Sequence, residues 1–551
     1  MKIHGGQIIA RALKAEGVDT IFTLSGGHIV AILDGCVQEG IRVVDVRHEQ
    51  AAAHAAEAYT RLTGKLGVAV VTAGPGVTDS ITGVATAWFA RTPMLLIGGR
   101  HFIRQELKGG LQEMNHPLLF QGITAWAATA WEVGRLADYI ATAARHAFSG
   151  RGAPVFLDVP MDVQFDMIEE DAMVWPTGYR SRSGQGADQA GLDLIVAAIK
   201  NSSRPVIFAG AGSNHGSSNR LTELAEALSA PTFLNSRARG SLPYGHPLLG
   251  NHARSQAMAA CDLLVALGVD WDFRTNYGER VNPSATVVHV DLDSNKIGWN
   301  RSVDIGIVAD PMTVVSQLVD LPELHGGTDG AWTNEIGDFE RSRRQELDGE
   351  AESAPTSPVN PQRFGRDVGA FFGPDAIVAV DGGDIVSTTA RWLQVSHPGH
   401  VLDPGPFGTL GTGAPFALAA KVAYPEKLVG IVYGDGAFGF NGFEFDTFVR
   451  LGLPIIGVIG NDGVWGNIKT FHTMLYPERV VAADLGRRPY HEVVRGLGGH
   501  GELVTDASEL RPALDRARVS GLPSVVNVHI AERSEIAKQG FIPRMSSNYD
   551  Q

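Results

Sequence analysis

Cysteine is nearly absent: Cys36 and Cys261 are far apart, in apolar surroundings. Two such residues offer neither a disulfide framework nor a metal-ligand spacing, and they fit a reducing cytoplasm. No run of about 18 apolar residues occurs, and Met1-Lys2-Ile3-His4-Gly5 opens no apolar signal core. A membrane-spanning helix and a secretory leader are therefore not expected. Blocks of Lys and Arg are missing too, and 46 basic against 60 acidic residues give a formal charge of −14. That balance argues against nucleic acid or an anionic membrane as partner. Charged residues are only 19% and hydrophobic ones 44%, a chain able to bury large cores, so disorder as the main state is excluded. At about 150 residues per domain, the length implies three or four domains.

What is abundant is glycine, 66 residues, with 28 prolines, clustered after apolar runs. Gly67-Val68-Ala69-Val70-Val71 precedes Ala73-Gly74-Pro75-Gly76, and Leu428–Tyr433 precedes Gly434-Asp435-Gly436. Short β-branched runs alternate with Ala/Leu-rich amphipathic segments, which implies parallel sheets covered on both faces. The fold class is α/β, with three doubly wound parallel-sheet domains at about 1–165, 190–325 and 361–532. Polar stretches at 178–186 and 325–360 read as linkers, and 533–551, with Lys538 and Arg544, as a tail placed to act as a lid. Such sheets hold ligands at the carboxyl ends of their strands.

The strongest motif is Gly434-Asp435-Gly436 with Asn461-Asp462 further on, each at the end of an apolar run. Two strand ends of one sheet can bring two side-chain oxygens together, and hard oxygen ligands suit Mg²⁺ sharing its shell with phosphates. A lone Gly-Asp-Gly would be a turn; the paired Asn-Asp makes it a metal-diphosphate motif. The pattern resembles the signature of the thiamine-diphosphate-dependent enzymes, with Asp462 where that family usually has Asn. The resemblance covers about residues 4–532 and implies pyrimidine-binding, central and diphosphate-binding domains in that order. It implies Mg²⁺ ligands from the side chains of Asp435 and Asp462 and the carbonyl of Val464. Around them Gly434, Gly436, Ala437, Trp465 and Gly466 would contact the cofactor. Arg47-His48-Glu49 before an Ala-rich helix resembles the segment whose glutamate activates the cofactor, which assigns that role to Glu49. Thr72 and Gly74 resemble the loop against the pyrimidine, and Gly408 and Leu410 the loop that props the cofactor in its bent form. Gly383 and Asp384, after another apolar run, would approach the diphosphate.

The cofactor leaves the reaction open, since decarboxylases, carboligases and lyases share the framework. His28 in Leu24-Ser25-Gly26-Gly27-His28 and Gln112 in Gly110-Leu111-Gln112 resemble benzaldehyde lyase, where such residues handle the substrate hydroxyl and carbonyl. Glu492, after Tyr490-His491, is a second candidate acid. Met161, Val386 and Asn467 at expected pocket positions argue against an aryl substrate. In the central domain Arg237, Arg239, Arg254 and Arg274 suit phosphates and Asp291 a ribose hydroxyl, so an ADP or CoA moiety is one candidate ligand and FAD another. The expectation is a lyase cleaving a 2-hydroxyacyl-CoA to formyl-CoA and an aldehyde or ketone. The alternatives are an acetolactate-synthase-like carboligase of 2-keto acids, an acyloin lyase without CoA, and a non-catalytic relative. The family builds its sites between chains, so the resemblance implies a homodimer or homotetramer.

Overall fold

The computed structural model describes residues 1–213, 219–324 and 330–532. Three six-stranded parallel sheets, each flanked by helices, carry the fold. The first runs, edge to edge, Arg42–Asp45, Thr20–Leu24, Gly67–Val71, Met94–Arg100, Pro154–Pro160, Ala127–Thr129. The central sheet runs Leu249–Gly250, Thr232–Leu234, Pro205–Ala209, Leu263–Leu267, Thr286–Asp291, Ile305–Val308. The third runs Val401–Leu402, Ile377–Asp381, Val429–Gly434, Ile455–Asn461, Ser524–His529, His500–Val504. A separate antiparallel pair joins Lys2–His4 to Met167–Glu169. The apolar runs are strands because both sheet faces are covered: Pro154–Pro160, Met94–Arg100 and Ile455–Asn461 are buried throughout.

Contacts group the chain into two units. One comprises Met1–Arg182, Pro404–Glu426 and Phe440–Leu453; the other Ser183–Asp403, Lys427–Gly439 and the chain from Pro454. Within the first unit, the helix Gly413–Ala423 packs on the helix Glu49–Thr63, where Arg61 lies 5.3 Å over the ring of Phe416. In each sheet the strand that comes first in sequence has its successor on one side and a later strand on the other. The order therefore reverses between Thr20–Leu24 and Gly67–Val71, between Pro205–Ala209 and Leu263–Leu267, and between Ile377–Asp381 and Val429–Gly434. In open α/β sheets such a reversal is where ligands bind, at the carboxyl ends of the strands.

One expectation needs correction. The stretch 325–360, read as a linker, contains a long helix, Ala331–Ser353. Its many charges are not linker chemistry but pairs at helical spacing, Asp338–Arg341, Arg343–Glu346 and Arg344–Asp348. The helix is anchored by burial of Trp332 and Ile336 in the central core, and Trp332 Nε1 donates to the Pro205 carbonyl at 3.0 Å. The stretch 178–186 holds no helix or strand, and the tail 533–551, with Lys538 and Arg544, lies outside the described residues. Among the described residues, no helix is long and apolar enough to cross a membrane. Trp332→Ala should destabilise the protein by about 3–5 kcal/mol through the cavity and the lost bond, read as a lower midpoint in thermal unfolding.

Candidate active site

In the first unit, two segments meet at the sheet's reversal point. Strand Thr20–Leu24 delivers His28 and strand Gly67–Val71 delivers Thr72, and His28 Nδ1 lies 3.2 Å from Thr72 Oγ1. His28 is buried, and burial pushes its pKa below the ordinary value against the opposing pull of the Leu111 carbonyl. Glu49 is the first residue of its helix, after strand Arg42–Asp45, and is 8% exposed. Its pKa is raised, chiefly by burial, although its own backbone amide opposes the shift. The turn before it is fixed by Glu444, which accepts the Arg47 amide at 2.9 Å and the Thr447 hydroxyl at 2.6 Å. Burial pushes Glu444 up to about 7.

The loop Gly74-Pro75-Gly76 lies between these groups. A methyl group at Gly76 would come 3.3 Å from Glu49 Oε1; one at Gly74, whose φ is +58°, would come 2.8 Å from Gln112 Cβ. Gln112 itself holds φ +59°, uncommon for a residue with a side chain. Its loop is braced by Glu113, which accepts the amides of Leu107 and Gly110. Leu410 is partly buried in the same unit, beside Thr409, whose hydroxyl is 2.9 Å from Thr86 Oγ1.

In the second unit, strands Ile377–Asp381, Val429–Gly434 and Ile455–Asn461 are adjacent and end level, Asp381 opposite Tyr433 and Gly434 opposite Gly460. Helices begin just beyond these ends, at Asp384, Asp435 and Gly466. Three carboxylates converge there. A methyl at Gly466 would come 2.7 Å from Asp384 Oδ2 and 3.4 Å from Asp462 Oδ2. Both Asp435 and Asp462 are held above the ordinary carboxylate range by burial, and Asp462 further by the charges of Asp435 and Asp384. Asp462 Oδ1 also accepts the Val464 amide, fixing that turn at 3.2 Å. Asn461 points into structure instead, its amide donating to Asn527 Oδ1 and the Arg488 carbonyl. Glu492 is not among these acids; it is exposed and paired with Arg495 at 2.9 Å.

The central region separates its candidates. Arg239 and Arg254 line one cavity together with Arg391, Asn251 and Tyr244. The loop carrying Arg239 is drawn against 390–397 at Gly240, φ +90°, where a methyl would lie 2.3 Å from the His397 carbonyl oxygen. Arg237 donates to the Ala211 carbonyl at 3.0 Å, joining two strand ends. Arg274 is buried in a forked pair with Asp272, and Asp291 accepts the Asp293 amide at 2.9 Å. Neither lines that cavity.

Three family models match this chain. The thiamine pyrophosphate enzyme N-terminal TPP binding domain covers residues 3–119, the central domain 192–318 and the C-terminal TPP binding domain 381–528. A Mycobacterium bovis protein named probable acetolactate synthase is 39% identical over 96% of this chain and 95% of its own length. Proteins named 2-hydroxyacyl-CoA lyase 2, from Caenorhabditis elegans and Homo sapiens, are 34% and 33% identical, each over 96% of this chain and 90% of its own. The chain belongs to the thiamine pyrophosphate enzyme family.

The residues present fit the cofactor this membership brings. Asp435 Oδ2 is buried with no hydrogen-bond partner among the described residues, and the adjacent acids form a negative cluster that a hard divalent cation would neutralise. Helix N-termini beside it suit an anionic diphosphate. What sequence reading missed are groups from separate segments: His116, Asp158, Arg100, His101 and Glu106 behind the Gly74 loop, and Glu444 below Glu49. One signal was present, the acid in the otherwise apolar strand Pro154-Val155-Phe156-Leu157-Asp158-Val159-Pro160. A charge there needs a buried partner.

The acid cluster predicts a pH effect. Groups with raised native pKa bind more protons folded than unfolded above the ordinary carboxylate range, so the cation-free protein loses stability as pH rises from about 5 to 8. Asp462→Asn should flatten that slope in melting curves recorded with a chelator.

Proposed function

We propose a thiamine-diphosphate- and Mg²⁺-dependent carbon–carbon lyase/carboligase that cleaves a 2-hydroxyacyl-CoA into formyl-CoA and an aldehyde or ketone. The observation that carries the CoA reading is the cavity lined by Arg239, Arg254 and Arg391, whose guanidinium forks suit the phosphates of a nucleotide; the lyase relatives support it. Asp435 and Asp462, with the Val464 carbonyl, would hold Mg²⁺, and Asp384 completes the charge around it. When bound, thiamine diphosphate supplies the electron sink that lets an acyl carbon carry negative charge.

This chain's residues supply the proton handling. Glu49, desolvated and with its pKa raised above the ordinary carboxylate value, is placed to give and take a proton. His28 is held neutral by burial and oriented by Thr72, so it is ready to accept a proton from a substrate hydroxyl. Gln112 would hold the substrate carbonyl oxygen. We place the enzyme in the cytoplasm as a homodimer or homotetramer whose second copy covers the exposed Leu107, Leu111, Leu118 and Phe443.

A second reading rests on the 39% identity to the probable acetolactate synthase: condensation of 2-keto acids, with FAD in the central domain. Mass spectrometry after incubation with a panel of 2-hydroxyacyl-CoAs, 2-keto acids and acyloins separates the two. Formyl-CoA is the expected product; acetolactate from pyruvate, with flavin bound to the purified protein, would establish the second. Glu49→Gln should lower kcat about a hundredfold or more, and unchanged turnover would remove Glu49 from the mechanism.

A further inference from the structure

Behind the Gly74 loop a chain of polar side chains crosses the core of the first unit. The Gly74 amide donates to His116 Nε2 at 3.0 Å, and His116 Nδ1 lies 2.9 Å from Asp158 Oδ1. Asp158 Oδ2 accepts Arg100 Nη1 at 2.7 Å, and Arg100 Nη2 forks onto both oxygens of Glu106 at 2.7 Å. His116 and Asp158 are both fully buried. The donors and acceptors fix the proton: an amide only donates, so Nε2 is the acceptor and Nδ1 carries the hydrogen that Asp158 accepts. His116 is thereby held as one neutral tautomer.

Asp158 needs a counter-charge, and Arg100 provides it. Neutral His116 adds none; it gives direction. It carries the Asp158 anchor to the amide of Gly74, the residue whose other face meets Gln112. The same carboxylate therefore braces the Gln112 loop from both ends, through His116 after it and through Arg100 and Glu106 before it.

We infer that His116 is a positioning residue: with Asp158 it fixes the Gly74 loop and, through it, the place of Gln112, the group proposed to hold the substrate carbonyl oxygen. This rests on the role proposed for Gln112. The test uses the full chain loaded with thiamine diphosphate and Mg²⁺, in a double-mutant cycle of His116→Leu and Gln112→Ala. His116→Leu should lower kcat about tenfold with little change in KM, yet cost almost nothing further when Gln112 is already Ala. His116→Gln, whose amide offers the same acceptor and donor, should restore kcat to within about threefold of the parent. Melting curves and thiamine diphosphate affinity by calorimetry, close to the parent for His116→Gln, establish that the fold and cofactor site are intact. Additive losses in the cycle, or a His116→Gln enzyme as slow as His116→Leu, would overturn the inference and leave the Gln112 reading standing. A silent Gln112→Ala would remove that reading and the inference with it.

Discussion

Like charges held close at the ends of three adjacent strands are the constraint on which the rest of this structure depends. Asp384, Asp435 and Asp462 follow largely apolar strands, so the sheet that buries those strands also fixes where the acids stand. Burial raises the pKa of Asp435 and Asp462, and the charges of Asp435 and Asp384 raise that of Asp462 further, a cost that points to a ligand that relieves it. A divalent cation with a diphosphate would relieve it locally, and the helix N-termini beyond the strand ends would favour the anion. Net charge is the wrong scale for such a site: a chain of −14 holds an anionic cofactor by arranging a few groups.

The first unit obeys the same geometry with different chemistry. Its strand ends carry groups suited to proton transfer rather than to holding charge, and burial tunes them in opposite directions, Glu49 up and His28 down. The acid keeps its proton to higher pH and the imidazole loses its proton at lower pH than either would in water. Glu444 and the His116–Asp158 pair hold the backbone around them, which is how a site on loops acquires the rigidity of the sheets beneath it.

Much of this was legible in the sequence because it depends on local pattern. Apolar runs ending in glycine marked the strands, and Gly434-Asp435-Gly436, Asn461-Asp462, Arg47-His48-Glu49 and Leu24–His28 fell at strand ends as the alternation required. The departures have physical causes. Charge density in 331–353 reads as solvated linker until its pairs are counted at helical spacing. Arg274 suits a phosphate by residue type, whereas Asp272, two residues before it, takes up its guanidinium. The polar chain from Gly74 to Glu106 assembles residues from four segments, and no spacing rule links them before the sheet is folded.

Binding of thiamine diphosphate to cation-free protein, measured by titration calorimetry with and without Mg²⁺, tests the central claim most directly. The account predicts tight binding only with Mg²⁺ present, and its loss in an Asp435→Ala protein that still melts cooperatively. Equally tight binding in chelator, or Mg²⁺-dependent binding that survives removal of Asp435, would contradict it.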